Sequence, residues 1–315
     1  MRIAWLLITL SFGSLPGWTQ SARPADTLAR MVVTIDHFYA ERPSLTRDDV
    51  LLRQGEAEMR VLNVTPLQGD RAGLELFLLV DNCSNCDPGS KFDELSNFIH
   101  SQASSTAVGI AYIQDGRLVV AQAPTLDRDQ AVKLLSPPSE SKPSNPFRVL
   151  AELIRGWKQN SIRRAVLIVS NGIDPSSAGL DDPPAEAAIE AAQRAGVIIY
   201  AIYHPSADYA SADSVKIYEG QAQLAHVACE TGGEAYFLDS GPLPSMAPFL
   251  ADIAGLLTHQ YLLEFAPGAG QSRGVLQEVT VESRIHDVEL IAARKAWIPE
   301  STENGHRTPS AGHRQ

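Results

Sequence analysis

The chain has 315 residues, of which 44% are hydrophobic and 20% charged, a globular composition that excludes a fibrous or wholly disordered protein. The formal net charge is −11 with acidic residues scattered along the chain, so its surface repels phosphate backbones and we expect no nucleic-acid partner. Three cysteines are too few for a disulfide-built scaffold or a zinc ribbon.

Residues 1–22 have the pattern of a secretory signal peptide. Arg2 precedes an apolar stretch that continues brokenly to Leu15, and small or polar residues follow as far as Ala22. The stretch is shorter than the roughly 20 apolar residues of a membrane span, although a buried N-terminal strand or helix is an alternative. We expect a secreted or periplasmic protein with no membrane span after signal removal.

Residues 23–72 are predicted to form a small β module, because short strand-like segments recur there. The segments are Met31–Ile35, Val50–Arg53 and Met59–Val64.

Residues 73–258 alternate between strand and helix patterns. Leu74–Val80 is an almost continuous apolar run, typical of a strand covered on both faces. The later strands are predicted at Ala107–Ile113, Leu118–Ala121, Ala165–Val169, Val197–Tyr203 and Ala235–Leu238, with helices at Phe92–Ser101, after Phe147, after Pro184, at Ile217–Glu230 and at Met246–Leu257. This alternation predicts an α/β domain with a doubly wound, mainly parallel sheet.

Residues 259–298 return to β patterns. Gln260–Phe265, Gln277–Glu282 and Val288–Ala292 alternate apolar and polar side chains, as antiparallel strands with one solvated face do. We expect these strands to pack with the N-terminal module and residues 299–315 to form a disordered tail.

Polar residues follow two predicted strands and precede one helix. The first central strand leads into the segment Asp81–Asn85, Ala165–Val169 leads into the segment Ser170–Asp174, and Ser144 and Asn145 lie just before the Phe147 helix. Ligands of open α/β sheets bind beyond the carboxyl ends of the strands, where the strand order reverses. We therefore expect these residues near one another at that edge.

Several segments together resemble von Willebrand factor type A (vWA) domains, especially the secreted bacterial variety with a short β module on each side. The likeness runs from about Met31 to Pro299. The segments that carry it, each with the family pattern it resembles, are Leu45–Val50 ("gLTkdDF"), Arg164–Asp174 ("rkavvllSDGeD"), Ala195–Ile202 ("aGv.vyaI"), Ala228–Gly233 ("A.eTGG") and Tyr261–Pro267 ("qY.lgY.P").

The resemblance implies a metal-ion-dependent adhesion site, in which a DxSxS loop, a threonine loop and an aspartate loop hold a magnesium-type ion. Asp81 matches the leading aspartate. Cys83 and Asn85 stand in place of the two serines, Ser144 in place of the threonine and Asn171 in place of the aspartate. Thus Asp81 alone matches strictly.

These substitutions predict a degenerate metal site. The sulfur of Cys83 is a poor magnesium ligand, and Asn85 and Asn171 offer amide oxygens without charge. We expect no cofactor, with Mg²⁺ or Mn²⁺ bound only if the degenerate site still works. Without a metal ion, Asp81 and Asn171 would cap loops through hydrogen bonds.

Cys83 and Cys86 form a C-x-x-C between a strand and a helix. A thiol-redox centre and a short structural disulfide both fit this placement, and we favour the disulfide because the surrounding pattern resembles vWA domains rather than thioredoxins. Cys229 lies on a predicted helix near Leu224 and Val227, and we expect it in the core.

The catalytic motifs H-E-x-x-H and G-x-x-x-x-G-K-[ST] do not occur in the sequence. G-x-S-x-G fits only Gly270–Gly274, which lies between predicted antiparallel strands and not at the strand-to-helix turn that this motif needs. The sequence therefore favours an exported, non-catalytic bacterial protein that takes part in protein–protein interaction or adhesion, with a protein partner that it does not identify. The alternatives are a thiol–disulfide oxidoreductase using Cys83 and Cys86, and a structural component of the cell envelope.

Overall fold

The computed structural model describes residues 28–36, 43–81, 88–136, 145–158, 163–174, 183–204, 214–237, 245–268 and 272–300. The predicted signal peptide and the residues after 300 lie outside these ranges, as do Asn85, Ser144 and the Cys83–Cys86 pair.

The N-terminal part is built from four short strands: β1 Ala29–Ile35, β2 Val50–Gln54, β3 Ala57–Met59 and β4 Val61–Pro66. The stretch predicted as one strand at Met59–Val64 is thus divided, with a break at Arg60. The two pieces pair in different sheets, β3 with β2 and β4 with a C-terminal strand.

The central sheet has six strands: β5 Leu74–Asp81, β6 Thr106–Gln114, β7 Arg117–Thr125, β8 Arg163–Ser170, β9 Val197–Tyr203 and β10 Ala235–Tyr236. Their order is β10-β9-β8-β5-β6-β7, and all pairs are parallel except β6 with β7. This is the order of a doubly wound sheet: successive strands are added on one side of the first strand, β5, and from the fourth strand, β8, onward they are added on its other side. The switch point lies between β5 and β8.

In the described parts of the chain, six helices cover the two faces of this sheet: α1 Pro88–Ser101, α2 Arg128–Lys133, α3 Pro146–Gly156, α4 Pro183–Ala195, α5 Ser214–Thr231 and α6 Ala247–Thr258. One apolar core joins α3, α4 and α5 to alternate residues of the strands, such as Val166 and Ile168. The other joins α1, α2 and α6 to the intervening residues, such as Leu167 and Val169. Burial on both faces explains the continuous apolar runs of these strands.

Among the described residues after 258, five strands complete the fold: β11 Gln260–Phe265, β12 Val275–Glu278, β13 Thr280–Ser283, β14 Leu290–Ala292 and β15 Lys295–Ile298. Antiparallel pairing joins them to the N-terminal strands in the sheets β14-β1-β11-β4 and β13-β2-β3, while β12 pairs with β15. The predicted α/β fold with a β module made from both ends of the chain is confirmed. The residue boundaries assigned to each domain stay predictions.

The predicted strand Gln277–Glu282 differs from the structure, because the chain breaks at Val279. Its two halves pair with different strands, β12 with β15 and β13 with β2. Strand β15 itself was not predicted. None of the helices in the described parts of the chain combines the length and apolar character that a membrane crossing needs.

Candidate functional site at the switch point

The switch point brings the carboxyl ends of β5 and β8 side by side. Asp81 ends β5 and Ser170 ends β8, and the Ser170 hydroxyl donates a hydrogen bond of 2.7 Å to Oδ2 of Asp81. Ser170 is fully buried, whereas Asp81 is partly exposed. A charge-assisted bond of this length fixes the orientation of the carboxylate.

The loop after β8 is shaped by its own side chains. Oδ1 of Asn171 accepts the N–H of Ile173 at 2.9 Å, an Asx turn, and Oγ of Ser170 accepts the N–H of Gly172 at 3.1 Å. Gly172 has a φ of +66°, which L side chains rarely adopt. The predicted loop-capping role of Asn171 agrees with this geometry.

Asn145 ties the start of α3 to the same loop. Its Oδ1 accepts the N–H of Arg148 at 2.9 Å as the N-cap of α3, while its Nδ2 donates to Oδ2 of Asp174. Asn145 is buried, so both ends of its amide are used within the fold. The sequence places Asn145 beside Ser144 at this polar edge, and an Asn directly before Pro146 is a typical helix start, but the bond to Asp174 was not predicted.

His204, just beyond β9, extends the polar edge by one more strand. Its N–H donates to the carbonyl of Ser170 at 2.9 Å, and its Nε2 lies 2.9 Å from Nζ of Lys91 on α1. An ammonium can only donate, so this contact requires an unprotonated Nε2 on the imidazole. His204 was not among the predicted site residues because a lone histidine carries no motif.

Helix α5 crosses this edge at very short range. A Cβ atom placed on Gly220 of α5 would lie closer than 3 Å to the carbonyl oxygen of Asn171, and one placed on Gly172 would be as close to the carbonyl of Gly220. Two glycines therefore let the helix backbone contact the loop backbone directly.

The variant Gly220→Ala is expected to lose about 2 kcal/mol of unfolding free energy. The new methyl group forces α5 away from the loop, and this strain outweighs the gain of up to about 1 kcal/mol that alanine brings to a helix. Gly255 of α6 is the matched control, because nothing lies within 4 Å of a Cβ placed there, and Gly255→Ala should stabilise the protein. Urea denaturation measures both, and equal stabilities for the two variants would contradict the close crossing.

The described donors at the switch point do not fit a magnesium ion. Asp81 supplies the carboxylate, but one of its oxygens already accepts the Ser170 hydroxyl, and the amide oxygen of Asn171 is used within its turn. Asp174 is held by Asn145. A hard dication needs several oxygen ligands, commonly including further carboxylates. Among the described residues, no three His, Cys, Asp or Glu side chains come together in a way that could hold a metal ion.

The structure thus brings two members of the predicted ligand set, Asp81 and Asn171, to one edge. The others, Cys83, Asn85 and Ser144, lie outside the described residues, and so does the predicted disulfide. Their roles stay predictions.

The prediction that Cys229 lies in the core is wrong. The buried stripe of α5 runs through Leu224, Val227 and Ala228, and Cys229 faces outward as an exposed free thiol. Its Sγ lies 3.8 Å from a guanidinium nitrogen of Arg294.

No protein-family profile matches the chain, and no curated protein matches it. Solved structures do share its architecture. BatB from Bacteroides thetaiotaomicron, a conserved hypothetical protein, is 14% identical with a TM-score of 0.43, over 59% of this chain and 98% of that one. The vWF domain of the type V pili tip protein Mfa5 from Porphyromonas gingivalis is 9% identical with a TM-score of 0.43, over 59% and 94%.

The pilus adhesin SpaC from Lactobacillus rhamnosus GG is 10% identical with a TM-score of 0.44. The match covers 79% of this chain and 47% of SpaC, so the chain spans about half the length of that adhesin. At such values the likeness is one of fold alone, and the fold description rests on the strand order and register given above.

Proposed function

We propose that the chain is an exported, non-catalytic protein-interaction domain of the vWA type, and that it engages a protein partner through the switch-point edge of its central sheet without a metal ion. The vWA assignment rests on the sequence segments named above and on the doubly wound strand order. Export rests on the N-terminal pattern of the sequence.

The observation that carries the proposal is a pair of exposed apolar side chains at the start of α5, the helix that contacts the Asn171 loop. Tyr218 is 66% exposed and Val215 is 60% exposed, and both lie in the first turns of α5, next to the Gly220 crossing. Exposed aromatic side chains are enriched in protein interfaces, where they often provide a large share of the binding energy.

The polar groups of the edge support the same proposal. The partly exposed Asp81, Asn171 and Asp174 all form hydrogen bonds within the fold. A preformed polar surface of this kind can receive a partner without reorganisation. It would not require an ion to bridge the two proteins.

The test is affinity capture from an envelope extract with the tagged chain, comparing Tyr218→Ser with Leu126→Ser. Leu126 lies beyond β7 and is 62% exposed, so it is a matched control away from the edge. We expect one protein to be retained by the wild type and by Leu126→Ser, and at least about tenfold less by Tyr218→Ser. Retention should be the same in EDTA and in millimolar magnesium.

Three results would contradict the proposal. Equal capture by the two variants would place the interface elsewhere. Loss of capture in EDTA would mean that the metal site works despite its substitutions. Insulin-reducing activity that disappears in Cys83→Ser would favour the thiol–disulfide oxidoreductase instead.

A further inference from the structure

The outer edge of β7 is open to another strand. In the described part of the chain, β7 lies at one end of the central sheet and pairs with β6 alone. Sheet edges are commonly protected from further pairing by charged side chains, proline, bulges or a covering segment. Between Arg117 at its start and Thr125 at its end, β7 contains no charged residue. Charge therefore does not protect this edge.

The second half of β7 is protected in other ways. Its pairing with β6 shifts register after Val120. The carbonyl of Ala123 accepts a hydrogen bond of 2.8 Å from the side-chain amide of Gln122, and Pro124 has no N–H to offer. The stretch that can receive a further strand is therefore the first half, Leu118–Ala121.

The backbone groups of Leu118 and Val120 point away from β6. The two-residue turn between β6 and β7 has positive φ at both positions, so Gln114 and Arg117, which flank it, exchange hydrogen bonds. Backbone groups alternate in direction along a strand, so those of Arg117 and Val119 point to β6 and those of Leu118 and Val120 point outward. Among the described residues, none pairs with these outward groups.

Exposed apolar side chains lie on both faces of this stretch. Val119 is opposite Tyr112, whose side chain belongs to the core beneath α1, α2 and α6, so Val119 lies on that face. Leu118 packs against the other core, and Val120 shares its face because side chains alternate along a strand. Val119 is 40% exposed and Val120 is 47% exposed. The helices on either face thus leave this edge uncovered.

The stretch is its own complement in an antiparallel pair. When Val119 of two copies lie opposite each other, Leu118 of each copy lies opposite Val120 of the other, and the outward N–H and C=O groups form four hydrogen bonds. All three side-chain pairs are then apolar, which favours strand pairing. Arg117 lies opposite Ala121, so no like charges face each other across the pair.

Charge also favours a second copy at this edge. Each chain has a formal net charge of −11, so two copies repel each other over much of their surface. An uncharged strand edge is where they approach at least cost. A strand of another protein would have to match this apolar pattern, whereas a second copy matches it by symmetry.

We propose that two copies of the chain associate through β7 about a two-fold axis beside Val119, so that their six-stranded sheets become one continuous sheet. Stable interfaces use roughly 20–30 residues a side, and this one uses far fewer, so the association is weak. The axis reverses the strand direction, so the switch-point edges of the two copies face opposite ways. The dimer thereby presents two partner-binding edges on opposite sides.

Sedimentation equilibrium of the full chain tests the association. Between about 10 µM and 1 mM we expect the weight-average mass to rise about 1.5–2-fold and to level off at the dimer, because a two-fold contact is closed. Val120→Lys places a charge within the strand pair and should weaken dimerisation at least about tenfold. Leu126→Ser is the control, because Leu126 is 62% exposed but lies outside the paired stretch. Both variants should keep Tm within about 2 °C, since these side chains are exposed.

Cross-linking tests the register. Cysteine variants are made in a chain carrying Cys229→Ser, because Cys229 is an exposed free thiol. Val119→Cys places two thiols in a pair without hydrogen bonds, where the Cα atoms are about 4.5 Å apart and a disulfide fits. Under mild oxidation it should form a covalent dimer at least about tenfold faster than Leu126→Cys, whose Cα atoms lie beyond disulfide range in this register. Non-reducing electrophoresis of both variants and of the Cys229→Ser parent measures the rates.

The proposal is overturned if the wild-type chain stays monomeric at the highest concentration, in which case a strand of another protein is the remaining occupant of the edge. A mass that climbs past the dimer would also overturn it, because the contact would not close. So would equal association by Val120→Lys and the wild type, or an equal loss in Leu126→Ser. Equal cross-linking of Val119→Cys and Leu126→Cys would contradict the register and with it the two-fold pair.

Discussion

A chain cut after Thr258 is expected to aggregate, and its soluble remainder should be digested by protease at least about tenfold faster than the full chain. The cut removes β11, which lies between β1 and β4 and pairs with both. Two unpaired strand edges would then face solvent, and such edges promote aggregation. The cut also removes Leu263 and Phe265, which are fully buried in the core of the β module.

The control is a chain cut after Glu300, which removes no residue of the described sheets. It should be as soluble and as protease-resistant as the full chain. Sedimentation measures the aggregation, and limited proteolysis the digestion rate, of the full chain and of the chains cut after Thr258 and after Glu300. A chain of residues 1–258 that matches the full chain in both measurements would mean that β1 and β4 do not depend on β11.

The central sheet could be predicted because its signal is local. Leu74–Val80 is apolar on both faces, and the structure covers both faces of β5 with helices. The β module was harder because partners distant in the sequence decide its strands. Val279 interrupts an apparently continuous strand so that β12 and β13 can join different sheets, and no pattern within the segment specifies that break.

The candidate site could be predicted only in part, because strand ends are visible in the sequence whereas their hydrogen-bond partners are not. Asp81 and Asn171 lie at strand ends, and strand order alone brings them to one edge. Their hydrogen-bond partners were not predictable in this way. The sequence places Ser170, Asn145 and Asp174 at this edge but not the bonds that they form, and the link between Asn145 and Asp174 spans 29 positions of the chain. Cys229 was misplaced because apolar neighbours in sequence do not fix which face of a helix a residue occupies.

A buried polar network joins the β module to the central sheet near the start of β8. The guanidinium of Arg163 donates to the carbonyls of Leu257 and Ala72 and to Oε1 of Gln260. Nε2 of Gln260 in turn donates to the hydroxyls of Thr34 and Tyr200, at 3.2 and 3.1 Å. One side chain of β11 thus connects β1, β8 and β9.

Arg163→Met is expected to lower the unfolding free energy by about 3 kcal/mol. Burial lowers the pKa of Arg163 to about 10, which corresponds to a cost of roughly 3 kcal/mol for keeping the charge. Three charge-assisted hydrogen bonds at about 1.5–3 kcal/mol each exceed that cost. The variant avoids the cost of the buried charge but loses the three hydrogen bonds. Arg30→Met is the control, because Arg30 is exposed in its ion pair with Glu264, and it should lose less than about 1 kcal/mol.

The deficit of Arg163→Met should stay constant between pH 7 and 9 and grow above pH 10. Above about pH 10 the unfolded chain still binds a proton at Arg163 that the folded chain has lost, so this group adds stability as pH rises. Burial raises the pKa of Tyr200, so the tyrosine subtracts stability over the same window because it ionises first in the unfolded chain. In the wild type the pH dependences of stability from Arg163 and Tyr200 oppose each other. The variant keeps only the destabilising one from Tyr200. Urea denaturation from pH 7 to 11 measures this, and a deficit that shrinks above pH 10 would mean that folding does not lower the pKa of Arg163.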